Sequence, residues 1–372
     1  MRRSKLCKDF CGEVWRPGCK TGLLPGLVAA ICGASRMGMT LESCRFLVEA
    51  RCSGLAPGRV LTLGRQSLWV SPERLVELLD EVYPGTSPSE RQQWRAALEP
   101  LAGRFETFLR LLGATTVESA DVSAYEGAEL LHDFNHPIPP EWEQRYDLVL
   151  DGGTLEHIFN LPVALANCMR LLRVGGRLLL YTPANNYCGH GFYQFSPELF
   201  FRVFTEENGF VLERLHAVVD TAGFSRLFGV KYAFPITGKR YTVTDPRRAG
   251  ERVLLINCKP VLLFVQALRT HAAPPFQKPP QQSDYLSQWA AGRPPEPLAQ
   301  SPRGQAVSQR LVRRLGERFC RETLPRLAGW LDPLRRWRFF RRLSFANRRF
   351  YRPVSPGSAP SADPETIKAL DP

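Results

Sequence analysis

The sequence predicts an α/β domain, with a mostly parallel sheet and helices packed on both of its faces. Three observations carry that expectation. From Arg59 to Leu268, apolar runs of strand length alternate with stretches of helical period. Glycines punctuate the boundaries between them, at Gly64, Gly152-Gly153 and Gly175-Gly176. A hydrophobic fraction of 44% over 372 residues is ordinary for a globular chain. It excludes wholesale disorder, collagen-like repeats and coiled-coil rods.

The elements follow in order. Thr40 to Ser53 places Leu41, Cys44, Leu47, Val48 and Cys52 on one helical face, with Glu42, Arg45 and Arg51 elsewhere. A β-rich run, Arg59 to Leu63, ends at Gly64. Ser71-Pro72-Glu73 is a helix start, with a serine cap, proline at the first position and an acid in the first turn. Ser89 to Leu112 reads as helix or paired helices broken at Pro100. Strands are expected at Thr115–Ala120, Glu129–His132 and Tyr146–Leu150, then a helix at Leu161–Leu172 stopped by Gly175-Gly176. A strand at Arg177–Thr182, a helix capped by Ser196-Pro197-Glu198, and strand character at Phe210–Val219 and Pro260–Leu268 complete the pattern.

Composition narrows the class further. No apolar run reaches the 18 or so residues a bilayer requires, and the N-terminus makes a poor secretory signal, so the expected location is cytoplasmic. Six of ten cysteines fall within the first 52 residues, but no C-x-x-C pair occurs, so reduced thiols are expected over a metal site. Net charge is +13, and it is localised. Residues 303–352 hold 15 arginines and three acids, or +12, while the residues before them carry +3 and the last twenty −2. Eight prolines between His271 and Pro302 mark an extended linker. The expected organisation is an N-terminal extension with a helix (1–57), a catalytic domain (58–270), a linker (271–302), a helical, arginine- and aromatic-rich tail (303–352) and a disordered C-terminus (353–372).

Chemistry concentrates at the strand ends. Tyr146 to Asp151 is an apolar strand ending in a carboxylate, followed by Gly152 and Gly153, where a ligand can approach the backbone closely. Upstream, Asp121 ends a strand, where a carboxylate can accept hydrogen bonds from a ribose diol. Asp133 can receive an exocyclic amine, with Phe134 offering a ring edge or face. No metal constellation stands out, since Asp147 and Asp151 straddle one strand and no further acids cluster.

The runs Asp121 to Ala128, His132 to Asn135, Asp151 to His157 (D-G-G-T-L-E-H), Val174 to Gly176, Thr182 to Asn186 and Gly189 to Phe200 (G-H-G-F-Y-Q-F-S-P-E-L-F) come in a fixed order. In this the chain resembles class I S-adenosylmethionine-dependent methyltransferases, and more narrowly bacterial methyltransferase-domain proteins, over about Gly58 to Leu268. The resemblance implies a Rossmann-like seven-stranded sheet whose last strand, Pro260–Leu268, runs antiparallel. It implies S-adenosylmethionine as cofactor, with Gly64 at the first-strand turn, Asp121 at the ribose, Asp133 and Phe134 at the adenine, and Asp151 and Gly152 at the methionine end. The loop Thr62-Leu-Gly-Arg-Gln-Ser67 departs from the family's acidic-x-Gly-x-Gly, which removes one partner for the cofactor's ammonium.

For methyl transfer to a small molecule or glycan, the candidate catalytic groups are Glu156, His157, His190 and Tyr193, with His157 or a neighbouring loop residue as base. The second hypothesis is a catalytically silent methyltransferase-like domain that serves binding or scaffolding, favoured by the degenerate loop. The arginine–aromatic run from Arg335 to Arg352 is expected to meet an anionic membrane surface or to pack as a helix. Nucleic acid is the weaker partner, because the near-neutral body offers no basic cleft.

Overall fold

A computed structural model describes residues 38–83, 85, 87–98, 105–219, 238–257, 259–290, 341 and 343–355. Cys7, Cys11, Cys19, Cys32 and the segment from Arg335 to Phe340 lie outside the described residues, as do residues 291–334 and 356–372.

Among the described residues, nine strands make the main sheet: β1 (Gly58–Leu63), β2 (Ala114–Asp121), β3 (Leu130–Leu131), β4 (Tyr146–Asp151), β5 (Leu172–Pro183), β6 (Phe210–Val219), β7 (Arg240–Val243), β8 (Val261–Arg269) and β9 (Tyr351–Pro353). Their order across it is β9-β7-β6-β8-β5-β4-β1-β2-β3. β3, β2, β1, β4 and β5 pair in parallel, and β8 runs antiparallel between β5 and β6, as expected of the Pro260–Leu268 run. The expected count of seven is corrected to nine, because β7 and β9 extend the β6 edge with antiparallel pairings. β9 belongs to the arginine-rich segment. Phe350 and Tyr351 are buried in the core, and Phe345 stacks on Tyr241 with ring centroids 4.2 Å apart. Of the two expectations for this run, a membrane surface or packing as a helix, these three aromatics follow the packing one, but beside and within an edge strand.

β4 is buried at every position, the signature of a strand covered on both faces. One face packs against helices α1 (Leu41–Cys52), α2 (Pro72–Val82), α3 (Pro88–Leu98) and α4 (Phe105–Leu111), through Phe46, Leu47, Leu75, Leu98 and Phe108. The other packs against α5 (Leu161–Leu171) and α6 (Pro197–Val203), through Leu165, Met169, Phe200 and Val203. A four-residue helix, α7 (Pro246–Ala249), follows β7, and α8 (Ser283–Ala290) lies within the stretch expected to be extended linker.

Local chemistry sets the helix ends. Ser71 accepts from the Arg74 amide with Pro72 in the first turn, and Thr40 and Ser43 form a reciprocal capping box at α1. The two-sided pattern expected of α1 is corrected: Glu42 and Arg45 are buried and Cys52 is exposed. Both charges are tolerated because each meets a counter-ion, Glu42 with Arg240 at 3.4 Å and Arg45 with Glu81 at 2.6 Å. β5 begins directly after α5, so Gly175-Gly176 lies inside a strand and does not stop the helix. Arg269 at the end of β8 donates to Met169 O at 3.0 Å and to Leu172 O, covering carbonyls the helix end leaves open.

The chain leaves β1 for β2 on one side and later returns to β4 on the other. That reversal is a topological switch point, where a crevice is expected beyond the carboxyl ends of β1, β2 and β4. In register, Leu63 stands beside Ala120 on one flank and Asp151 on the other. Among the described residues, no helix is long and apolar enough to cross a membrane.

Candidate active site

The crevice is built from three adjacent strand ends. Gly64 leaves β1 with φ +66, a left-handed conformation that disfavours any side chain. A Cβ placed there would meet Thr154 Oγ1 at 3.3 Å and Asp121 Oδ2 at 3.7 Å. So the expected turn glycine and the expected ribose carboxylate do come together. Asp121 is partly open, its Oδ1 taking only the Ser123 amide at 3.1 Å. Thr154, to which the sequence reading gave no role, donates its hydroxyl to Leu63 O at 2.9 Å and ties the β4 turn to β1.

The methionine end differs from expectation. Gly152 does not present open backbone: a Cβ there would lie 2.1 Å from Gln66 Oε1. Gln66 is buried, donates to Leu63 O at 2.8 Å, and leaves that amide oxygen without a hydrogen bond. The sequence reading missed it, although it lies in the loop already marked as departing from the family pattern. Asp151 is 0% exposed. Its Oδ1 receives the Thr154 amide at 2.8 Å while Oδ2 has no hydrogen bond. Burial first and the charge of Glu156 second push this carboxyl up to about 8, against the backbone amides that pull it down. Asp151 therefore organises the turn from beneath and does not line the crevice.

At the expected adenine side, Asp133 is half-exposed and accepts from the Asn135 amide at 2.9 Å and its side chain at 2.8 Å. Those bonds hold its carboxyl below the usual range. Asn135 in turn receives the Asn160 amide at 2.8 Å, which anchors this loop to the segment after β4. The Phe134 ring is corrected to a core position: it is buried, with His132 against it at 5.4 Å.

The expected catalytic groups are assembled by two short segments. A single 3-10 turn, Leu155–His157, follows the D-G-G-T corner. The loop after β5 folds down onto it. Phe192 N donates to Glu156 O at 2.7 Å, Tyr193 N to the same oxygen at 3.3 Å, and Tyr193 Oη to Phe159 O at 2.6 Å. Gly191, at φ +69, has no room for a side chain, because a Cβ would sit 2.7 Å from Glu156 O. Docking brings His190 Nε2 to 3.4 Å from Glu156 Oε1, and His157 Nε2 lies 4.0 Å from the same atom. The two imidazoles stand 5.0 Å apart, edge to face. Glu156 is 0% exposed, and neither of its carboxylate oxygens accepts a hydrogen bond. The His157 side chain is 49% exposed and that of His190 16%. Beside this cluster Phe159 and Phe192 are exposed to solvent, edge to face at 5.8 Å, and Tyr125 is exposed on the loop after β2. Tyr193 is committed through its hydroxyl to the loop's own docking.

The expectation that no metal ligands cluster is corrected on this point: Glu156, His157 and His190 place one donor atom each within 4.8 Å of one another. The sequence concealed the group because His190 is 33 residues from His157 and arrives only when the loop docks.

No protein-family model matches the chain, and no curated protein matches it. Solved structures with a similar fold include a SAM-dependent methyltransferase of Thermotoga maritima, at 15% identity and TM-score 0.29 over 62% of this chain and 90% of that one. Another is the 1,6-didemethyltoxoflavin N1-methyltransferase of Burkholderia thailandensis, with S-adenosylhomocysteine bound. It shows 14% identity and TM-score 0.27 over 62% of this chain and 78% of that one. The cyclase SpnF is a third, at 13% identity and TM-score 0.34 over 66% and 92%. At such scores the site must be read from its own geometry.

Proposed function

We propose that the chain transfers a methyl group from S-adenosylmethionine to a small-molecule or glycan acceptor. The observation that carries this is the cradle at the topological switch point, where Gly64, Asp121 and Thr154 converge over adjacent strand ends. A nucleoside fits it in kind: Asp121 offers Oδ2 to a ribose diol, and the side-chain-free Gly64 lets the backbone approach. Asp133 flanks the base end with a charged carboxylate already oriented by Asn135. Where the family pattern has an acid, this chain has buried Thr62, and the acceptor at hand for an ammonium is the unbonded Oε1 of Gln66. Gln66 would have to turn away from Gly152 to serve it.

Bound there, the cofactor supplies a methyl carbon on a sulfonium, a good leaving group. The chain's own part is positioning and proton removal. With the cofactor bound, the acceptor would be methylated by in-line displacement at that carbon, and its proton would pass to the Glu156–His157–His190 cluster, with His157 the exposed member. Phe159 and Phe192 at the rim suit an acceptor with a flat or apolar face.

Calorimetry with S-adenosylmethionine and S-adenosylhomocysteine tests the reading. Saturable heat is expected, lost in Gln66→Ala and Asp121→Ala. Absence of heat from the native chain would leave the silent binding module, which the packing of Gln66 on Gly152 favours.

A further inference from the structure

The geometry points to a binding site for one first-row divalent transition-metal ion, formed by Glu156, His157 and His190. Three features of the chain converge on it. The donors are of mixed kind, one carboxylate oxygen and two imidazole nitrogens, and they lie within 4.8 Å of one another. The carboxylate is fully buried with both oxygens lacking hydrogen bonds, and the His190 Nε2 beside it is equally unbonded. A buried carboxylate in that condition is costly unless a cation or proton compensates it.

Distances fit an ion with little rearrangement. Donors bound at about 2.0–2.1 Å to a tetrahedral ion lie roughly 3.4 Å apart. His190 already stands at 3.4 Å from Glu156 Oε1, and half-exposed His157, at 4.0 Å, must close by a few tenths of an ångström. The frame is preorganised, because the hydrogen bonds from Phe192 and Tyr193 hold the His190 loop to the Glu156 backbone. Two imidazoles and one carboxylate select manganese through zinc. Magnesium and calcium favour oxygen donors throughout, and copper(I) favours thiolates. Three protein ligands leave coordination positions facing solvent beside His157, where an oxygen of water or of an acceptor would bind. In that case His157 serves as a ligand, and the ion lowers the acceptor's proton affinity in its place. The site itself stands apart from the methyl-transfer reading. Only that last role rests on it.

The test is titration of the metal-free full chain with Co2+, followed by visible absorption, without any nucleoside present. One saturable site per chain is expected, weakened at least about tenfold in His157→Ala and in His190→Ala. Glu156→Gln should weaken it similarly, and the half-exposed His157 variant decides the matter if the buried substitution fails to fold. Cys188 is exposed two residues from His190 and is a competing ligand, so Cys188→Ser should leave the site intact. The proposal is overturned if the native chain shows no saturable site. It is equally overturned if binding survives both histidine variants, or disappears in Cys188→Ser together with a thiolate charge-transfer band. Cobalt binding without calorimetric heat from S-adenosylmethionine would remove the methyl-transfer reading alone, and heat without cobalt binding would remove the metal site alone.

Discussion

Two regions of this molecule bury charge, and they treat it in opposite ways. Beneath α1, Glu42, Glu49, Arg214 and Arg240 form a network of two acids and two bases. Arg240 grips Glu49 through two hydrogen bonds of 2.9 and 2.8 Å and reaches Glu42 at 3.4 Å, while Arg214 stands 3.6 Å from Glu49 and donates to Gln266 at 3.0 Å. At the carboxyl edge of the sheet, Asp151 and Glu156 are buried as deeply, yet no arginine or lysine is paired with either among the described residues. Buried charge that only holds a fold together comes with its counter-charge. A buried carboxyl with no arginine or lysine against it is poised for a proton or an ion that arrives later.

The largest expected effect separates the two regions by stability. Arg240→Ala leaves buried Glu42 and half-buried Glu49 without their main cation, and should cost about 3–5 kcal/mol in denaturant unfolding. Loss of less than about 1 kcal/mol would show that the network is solvated in solution and would dissolve the contrast.

Next comes a substitution at the edge that should affect binding and not folding. Asp121 contributes one hydrogen bond, from Ser123, to its own loop. Asp121→Asn is expected to weaken S-adenosylhomocysteine binding by about 1.5–3 kcal/mol, roughly ten- to hundredfold, with the unfolding midpoint almost unmoved. A large midpoint shift with unchanged affinity would make Asp121 a structural cap.

A smaller effect appears in the pH dependence of the network beneath α1. His216 in β6 is buried, with Phe46 against its ring at 5.5 Å, and burial together with Arg240 and Arg214 lowers its pKa from 6.5 to about 3. Above the unfolded value the ring is neutral in both states and contributes no pH dependence. Between that value and about 3, the unfolded chain binds a proton that the folded chain refuses, so stability declines as pH falls. The slope approaches about 1.4 kcal/mol per pH unit. His216→Leu should flatten that slope in unfolding curves taken across the acid range, and an unaltered slope would assign it to the carboxylates instead.

What could be read in the chain follows the same division. Strand ends and caps were legible because apolar period, Ser71-Pro72 and the D-G-G corner are local signals. Burial of Glu42 and Arg45 was not, since their partners Arg240 and Glu81 are distant in sequence. The cradle at Gly64 and Asp121 was legible from strand-end chemistry. Gln66 filling the face of Gly152 was not, because side-chain rotamers in a loop depend on contacts that no period encodes. Phe134 shows the complementary limit: an aromatic beside a polar motif looked like a ligand platform and proved to be core. The β9 edge was hidden by composition, because arginines dominate a segment whose three aromatics do the packing.

The smallest expected change is the sharpest test of the contrast. Glu156→Gln, in the metal-free chain, removes a buried carboxyl that has no arginine or lysine paired with it among the described residues, and relieves its interaction with Asp151. The amide keeps the volume and adds donors where unbonded acceptors stood, facing His190 at 3.4 Å. Its cost in unfolding free energy is therefore expected within about 0.5 kcal/mol of zero, on either side, although the same change in a paired buried acid would be severe. Added Co2+ should then stabilise the native chain against unfolding by at least about 1.4 kcal/mol more than this variant, the equivalent of tenfold weaker binding, because only a carboxylate contributes the charge that holds the ion. If instead the variant unfolds as readily as Arg240→Ala, Glu156 is a structural acid whose partners lie outside the described residues, and the two regions obey one rule.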